Sequence, residues 1–116
     1  MSYDPNNVFA KILRGELPST KTHESEKALA FKNIYPAATE HLLVIPKGEY
    51  ATFADFAAHA SDTEKLSWLA LVAEAAAGMP DGGFRIVINN GPNAGQMVPH
   101  LHAHILGGEK LDSHGL

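Results

Sequence analysis

His100, His102 and His104 occupy alternate positions of the segment Val98-Pro99-His100-Leu101-His102-Ala103-His104-Ile105-Leu106, and they are three of the chain's seven histidines. Side chains of a β-strand point to opposite faces with a period of two. Read as a strand, the segment sends the imidazoles to one face and Leu101, Ala103 and Ile105 to the other, where they can enter a core. A helix would scatter the imidazoles over a wide arc, because helical neighbours lie three and four residues apart. Imidazoles crowded together repel when charged, so the group needs an anion, a metal or mutual hydrogen bonding.

Three chemistries are compatible with that arrangement. The histidines can be ordinary surface residues, although their regular alternation with apolar residues is more than a surface strand requires. They can bind a metal, with His41 or Asp112 as further ligands. Against this, His100 and His104 lie about 13 Å apart on a fully extended strand, so a single ion would need a bend between them. They can also perform phosphoryl chemistry. An imidazole titrating near 6.5 is a nucleophile at neutral pH without a separate base, and neighbouring N–H groups can hold phosphoryl oxygens. The loop from Gly91 to Gly95 can supply backbone N–H groups, with Asn89 and Gln96 as neutral polar neighbours.

These residues must be positioned by a small number of elements. Val8, Phe9, Ile12 and Leu13 recur at helical spacing, with Gly15 as a stop. Leu17-Pro18-Ser19 reads as an extended exit. Ala28 to Phe31 and Leu42 to Ile45 read as strands around an Asn33-Ile34-Tyr35-Pro36 turn. A short helical piece is expected near Phe53 to Ala58. A longer helix starts at Ser61, which has the spacing of a capping box with Glu64, and stops at Gly78. Leu66, Leu69, Ala70, Ala73 and Ala77 mark one of its faces. Phe84 to Asn89 reads as a strand, Asn90 to Gly95 as a loop, and the histidine strand follows. The tail from about residue 109 shows no pattern. Such an order predicts an α+β domain with a mainly antiparallel sheet of about five strands and two or three helices.

The whole chain narrows the function. Its 116 residues fit one core, and a hydrophobic content of 45% with 19% charged residues is ordinary for a globular protein. A net charge of -4 argues against a nucleic-acid binder relying on a basic surface. There is no cysteine, which excludes disulfides and thiolate zinc sites. No run approaches the roughly 20 apolar residues of a membrane span, and residues 1–7 lack signal-peptide character. A cytoplasmic protein is expected, without nucleic-acid or membrane partners.

The segment Gly95 to Leu106 resembles the signature of the histidine-triad (HIT) family, His-φ-His-φ-His-φ-φ with φ apolar. Gly107-Gly108 resembles its HINT-like, nucleotide-binding branch. Asn7 to Pro18, Ala30 to Pro36, His41 to Lys47 and Phe84 to Gly91 also fit, in order, so the likeness spans nearly the whole chain. The resemblance implies a single HIT domain over residues 1–116 that binds a purine mononucleotide and acts as a hydrolase or nucleotidyl transferase. It implies that His102 attacks the α-phosphorus of a nucleoside 5′-phosphoramidate or acyl-nucleotide, forming a nucleotidyl-histidine that water then opens. By the same likeness His104 binds a phosphate oxygen and His100 supports the site, its backbone carbonyl holding one nitrogen of His102. His41 is the fourth histidine. Asn89, Gly95, Gln96 and Met97 lie at the phosphate, and Val8, Phe9, Ile12, Phe31, Asn33 and Ile34 lie at the base and ribose. No cofactor or metal is implied, and a homodimer joined edge to edge is.

The chain departs from the family pattern in three places. Asn33 stands where an aspartate usually accepts both ribose hydroxyls. Met97 stands where a serine or threonine is common. Asn7 and Ala10 replace the cysteines of a zinc motif found in some relatives. The first two departures support an alternative reading: a nucleotide-binding regulator or interaction protein with little turnover.

Overall fold

The computed structural model describes residues 1–115. Helix α1 covers Val8–Leu13, α2 Phe53–His59 and α3 Asp62–Ala77. The strands are β1 Lys21–Glu24, β2 Ala28–Lys32, β3 Glu40–Pro46, β4 Phe84–Val87 and β5 Ala103–Gly107. They form a five-stranded sheet in the order β1-β2-β3-β5-β4, and every pair is antiparallel. This is the α+β architecture expected from the sequence.

Each helix begins at a side chain able to hold its free N–H groups. The Asn7 side chain accepts from the N–H groups of Phe9 and Ala10, and the Thr52 hydroxyl accepts from that of Asp55. Ser61 and Glu64 form the capping box read from their spacing.

The central strands of the sheet are buried on both faces, and alternation assigns each residue to one of them. Ala28, Ala30, Leu42, Val44, Leu101, Ala103 and Ile105 form one core with Phe56 of α2 and with Trp68, Leu71, Val72, Ala75 and Ala76 of α3. The Trp68 indole N–H donates to the Val44 carbonyl at 3.1 Å, tying α3 to the central strand. On the opposite face Leu29, Phe31, Leu43 and Ile45 pack against Phe9, Ile12 and Leu13 of α1, with Val98 beside them. Because β3 pairs with β5 as Leu43↔His104 and His41↔Leu106, His104 and His41 lie on this second face.

Four expectations require correction. The face of α3 marked by Leu66, Leu69, Ala70, Ala73 and Ala77 points outward, with Leu66 and Leu69 67% and 60% exposed. The buried face is the one carrying Trp68, Leu71 and Val72, because both sides of this helix are apolar and only packing separates them. β1 was not apparent, since Lys-Thr-His-Glu carries no strand pattern; it is a short edge strand with a register shift between Lys21 and His23. β4 ends at Val87, short of Asn89.

The fourth correction concerns the histidine segment, where the ladder begins only at Ala103. Pro99 has no N–H to give. The Leu101 N–H donates to the Tyr50 carbonyl at 2.8 Å, and the His100 carbonyl is occupied by a side chain. The segment bends at Val98 to His100, yet Leu101, Ala103 and Ile105 still share one core.

Candidate active site

His100 is fully buried between two elements. Its Nε2 lies 2.8 Å from the Pro46 carbonyl and its Nδ1 2.8 Å from the Tyr3 hydroxyl. A carbonyl only accepts, so Nε2 carries the proton and Nδ1 accepts from Tyr3. Burial drives the His100 pKa down to about 4, against a smaller upward effect of the Pro46 carbonyl. His100 is therefore a neutral, fully bonded ring with no nitrogen free for substrate.

His102 is arranged differently. Its Nδ1–H donates to the His100 carbonyl at 2.7 Å, which leaves the Nε2 lone pair free. Phe9 packs edge-on against the ring at a centroid distance of 5.0 Å. Burial lowers the His102 pKa, while the carbonyl contact opposes that shift. The result is a neutral imidazole whose unprotonated nitrogen is directed by its own backbone.

His104 obtains its tautomer through His41. The Ala37 N–H donates to His41 Nδ1 at 2.9 Å, so the neutral His41 is protonated on Nε2. That N–H donates to His104 Nδ1 at 2.9 Å, which leaves His104 with a free Nε2–H. Burial lowers the His41 pKa. Burial, then the charges of His102 and His41, take His104 down to about 4. The His102 and His104 rings lie 5.0 Å apart. One offers a lone pair and the other an N–H donor, side by side.

Asn33 meets this relay at its edge. Its Oδ1 accepts from the Tyr35 N–H at 2.9 Å, leaving its NH₂ group 3.3 Å from His41 Nε2. Both nitrogens carry protons, so two donors face each other. Turning the amide over would only move the conflict to Tyr35. A carboxylate could accept on both sides, which an amide cannot.

The glycine loop uses its donors differently from the sequence reading. The Gly95 N–H donates to the Pro92 carbonyl at 3.0 Å. The buried Gln96 amide accepts from the Gly91 N–H and donates to the Ala51 and Val98 carbonyls, at 2.7, 2.7 and 2.9 Å. Gln96 and Gly95 thus brace the loop, and the phosphate contacts expected of them are already occupied. Gly91 and Gly95 both sit at φ +88°, where a side chain would be strained. Among the described residues the Met97 N–H has no partner, and its side chain is 89% exposed. Asn89 is half-buried two residues beyond Val87, which pairs with His104. Of the expected base and ribose residues, Phe9 and Phe31 are buried in the second core, which leaves Val8, Ile12 and Ile34 to present apolar surface.

Some parts of this arrangement were not visible in the sequence. Tyr3, the Ala37 N–H and the Pro46 carbonyl act through contacts 97, 4 and 54 residues along the chain. Tyr3 and Pro46 lie beyond any local pattern, and Ala37 acts through a backbone N–H that its side-chain type does not mark. Among the described residues no group of three or more His, Asp or Glu side chains converges in a metal-binding arrangement.

The HIT-domain family model matches residues 14–111, and the chain belongs to the HIT family. It is 51% identical over 112 residues to a 13.2 kDa HIT-like protein of Azospirillum brasilense, an alignment covering 95% of this chain and 92% of that one. A HIT family hydrolase from Legionella pneumophila superposes with a TM-score of 0.80 at 38% identity, covering 94% of this chain and 98% of that one. A histidine triad protein from Clostridium difficile matches equally well, with a TM-score of 0.80, 39% identity, and coverage of 98% and 99%.

Proposed function

We propose that this protein is a nucleotide-binding hydrolase or nucleotidyl transferase, formed by one HIT domain over the whole chain, that cleaves purine nucleoside 5′-phosphoramidates or acyl-nucleotides. The observation that carries this reading is the pairing of tautomers: His102 with a free Nε2 lone pair beside His104 with a free Nε2–H. The Nε2 pair attacks the α-phosphorus and the bond to the leaving amine or acyl oxygen breaks. His104 donates to a phosphoryl oxygen as charge develops there. The Met97 N–H and the Asn89 side chain are the remaining donors at this position. Met97 has no hydroxyl to protonate a departing amine, so that proton comes from solvent. Water then attacks the phosphorus, the P–Nε2 bond breaks, and the nucleoside monophosphate leaves with His102 restored.

The apolar slot for the purine is formed by Val8, Ile12 and Ile34, with Asn33 next to the ribose. The protein works as a homodimer in the cytoplasm, without nucleic-acid or membrane partners. β4 is an edge strand whose Phe84 and Ile86 are exposed, and α3 carries the exposed Leu66 and Leu69. No helix of the described residues is long and apolar enough to cross a membrane.

The test is intact-protein mass spectrometry during turnover of an adenosine 5′-phosphoramidate, with His102→Ala in parallel. The native protein should carry an adenylyl adduct. The variant should lose both adduct and turnover, a fall of about a thousandfold or more, while still binding AMP. Substantial turnover by His102→Ala would refute the nucleophile assignment. Absence of turnover and adduct in the native protein, with AMP still bound, would favour the regulator, with Asn33 and Met97 as its cause.

A further inference from the structure

We infer that Tyr3 is a positioning residue for the nucleophile: by donating to His100 Nδ1 it holds His100 in the pose from which the His100 carbonyl aims His102. The inference rests on the hydrolase reading for its rate effect, but its geometric part stands alone.

Three observations carry it. First, the contact spans the fold. The Tyr3 hydroxyl lies 2.8 Å from His100 Nδ1, and the two rings are 5.5 Å apart at 57°. With Nε2–H committed to Pro46, the Tyr3 hydroxyl is the donor that satisfies the other nitrogen of a fully buried ring. The phenol is itself held protonated, since burial raises its pKa above the ordinary value.

Second, the segment carrying Tyr3 is built rather than loose. The Asn7 side chain donates to the Asp4 carbonyl at 2.7 Å and the Asn6 N–H donates to the Asp4 carboxylate at 2.9 Å. Arg14 donates to the Pro5 carbonyl at 2.8 Å. These bonds lead directly into α1, whose Phe9 packs against His102. The N-terminal segment and α1 therefore bear on two successive triad histidines, through Tyr3 and Phe9.

Third, His100 has no nitrogen left for substrate, yet its carbonyl is the sole described partner of His102 Nδ1. Its contribution to the site is consequently orientation. Removing the Tyr3 hydroxyl leaves a buried Nδ1 unpaired, and the ring can regain a partner only by turning or admitting water. Either response loosens the anchored ring of the residue whose carbonyl orients His102, and the proposal is that the looseness reaches that carbonyl.

The experiment is ¹⁵N NMR of the histidine rings in the native protein and in Tyr3→Phe, paired with steady-state kinetics. Tyr3→Phe keeps the packed ring, and an unchanged amide fingerprint away from residues 1–7 and the triad establishes that it folds. In the native protein His100 should show the Nε2–H tautomer. In Tyr3→Phe the ring signals of both His100 and His102 should move. Turnover should fall about three- to tenfold in kcat, with KM and AMP affinity unchanged, as expected for one buried hydrogen bond. A native His100 protonated on Nδ1 overturns the proposal, because Tyr3 could not then donate to it. So does a His102 signal that stays in place while only His100 moves, because Tyr3 would then serve packing alone. If the native protein turns over no phosphoramidate, the hydrolase reading fails, and the ring spectra still decide whether Tyr3 positions His102.

Discussion

Lowering the pH from about 7 to about 5 protonates histidines in the unfolded chain while the folded triad resists. An unfolded imidazole binds its proton near 6.5, and His100 in the fold binds one only at about 4. Between those values the unfolded chain holds a proton that the folded protein excludes. Stability therefore falls as pH falls through this window, and the loss stops growing below about 4. At about pH 5 the gap is roughly 1.5 pH units, which at about 1.4 kcal/mol per unit makes His100 alone worth about 2 kcal/mol. His104, His41 and His102 are shifted in the same direction. They add less, because each is nearer solvent than His100. Glu24 and Glu64, whose pKa values are lowered from 4.5, contribute only at lower pH. Urea denaturation should show a midpoint about 1 M lower at the acid end. Burial also lowers the His102 pKa, so turnover should survive to a lower pH than an ordinary imidazole nucleophile would allow. A midpoint that does not move between the two conditions would refute the reasoning, since it would mean that His100 is hydrated and takes its proton in the fold.

Two further outcomes follow from the same geometry. Asn33→Asp should tighten AMP binding about three- to tenfold by isothermal titration, because a carboxylate accepts more strongly than an amide and can serve both Tyr35 and a ribose hydroxyl. The gain should vanish with 2′,3′-dideoxy-AMP; an equal gain there would place the ribose elsewhere. Leu69→Glu, on the exposed face of α3, should convert the proposed dimer to a monomer by light scattering with the sheet signal in circular dichroism intact; a dimer that persists would remove α3 from the interface, and a native monomer would refute the dimer itself.

Local rules carried a good part of the fold. Ser61 and Glu64 announced the start of α3 and Gly78 its end, because a capping box and a glycine stop are short-range chemistry. The apolar run from Leu42 to Ile45 and the alternation around Ala103 marked buried strands for a similarly local reason. Spacing alone points equally to the outward face of α3, since Leu66 and Leu69 are as apolar as Leu71 and Val72. Nothing in the periodicity says which pair meets the sheet. β1 escaped notice because an edge strand needs only one neighbour and little hydrophobic patterning.

In the site, the sequence by itself determined the inventory: three alternating imidazoles with apolar residues between them, a glycine loop before them, and His41 at a distance. It also sufficed for the family, because those residues recur in one order along the chain. Only the tertiary structure decided what each group does. The proton on His104 is set by Ala37 through His41, and the ring of His100 is held by Tyr3 and Pro46. Gln96 is spent bracing its own loop instead of facing an anion. The physical reason is that an imidazole or an amide has no fixed role until its partners are in place. A side chain's identity is written in the sequence, but its tautomer and its free lone pair are determined by donors and acceptors that folding brings from elsewhere.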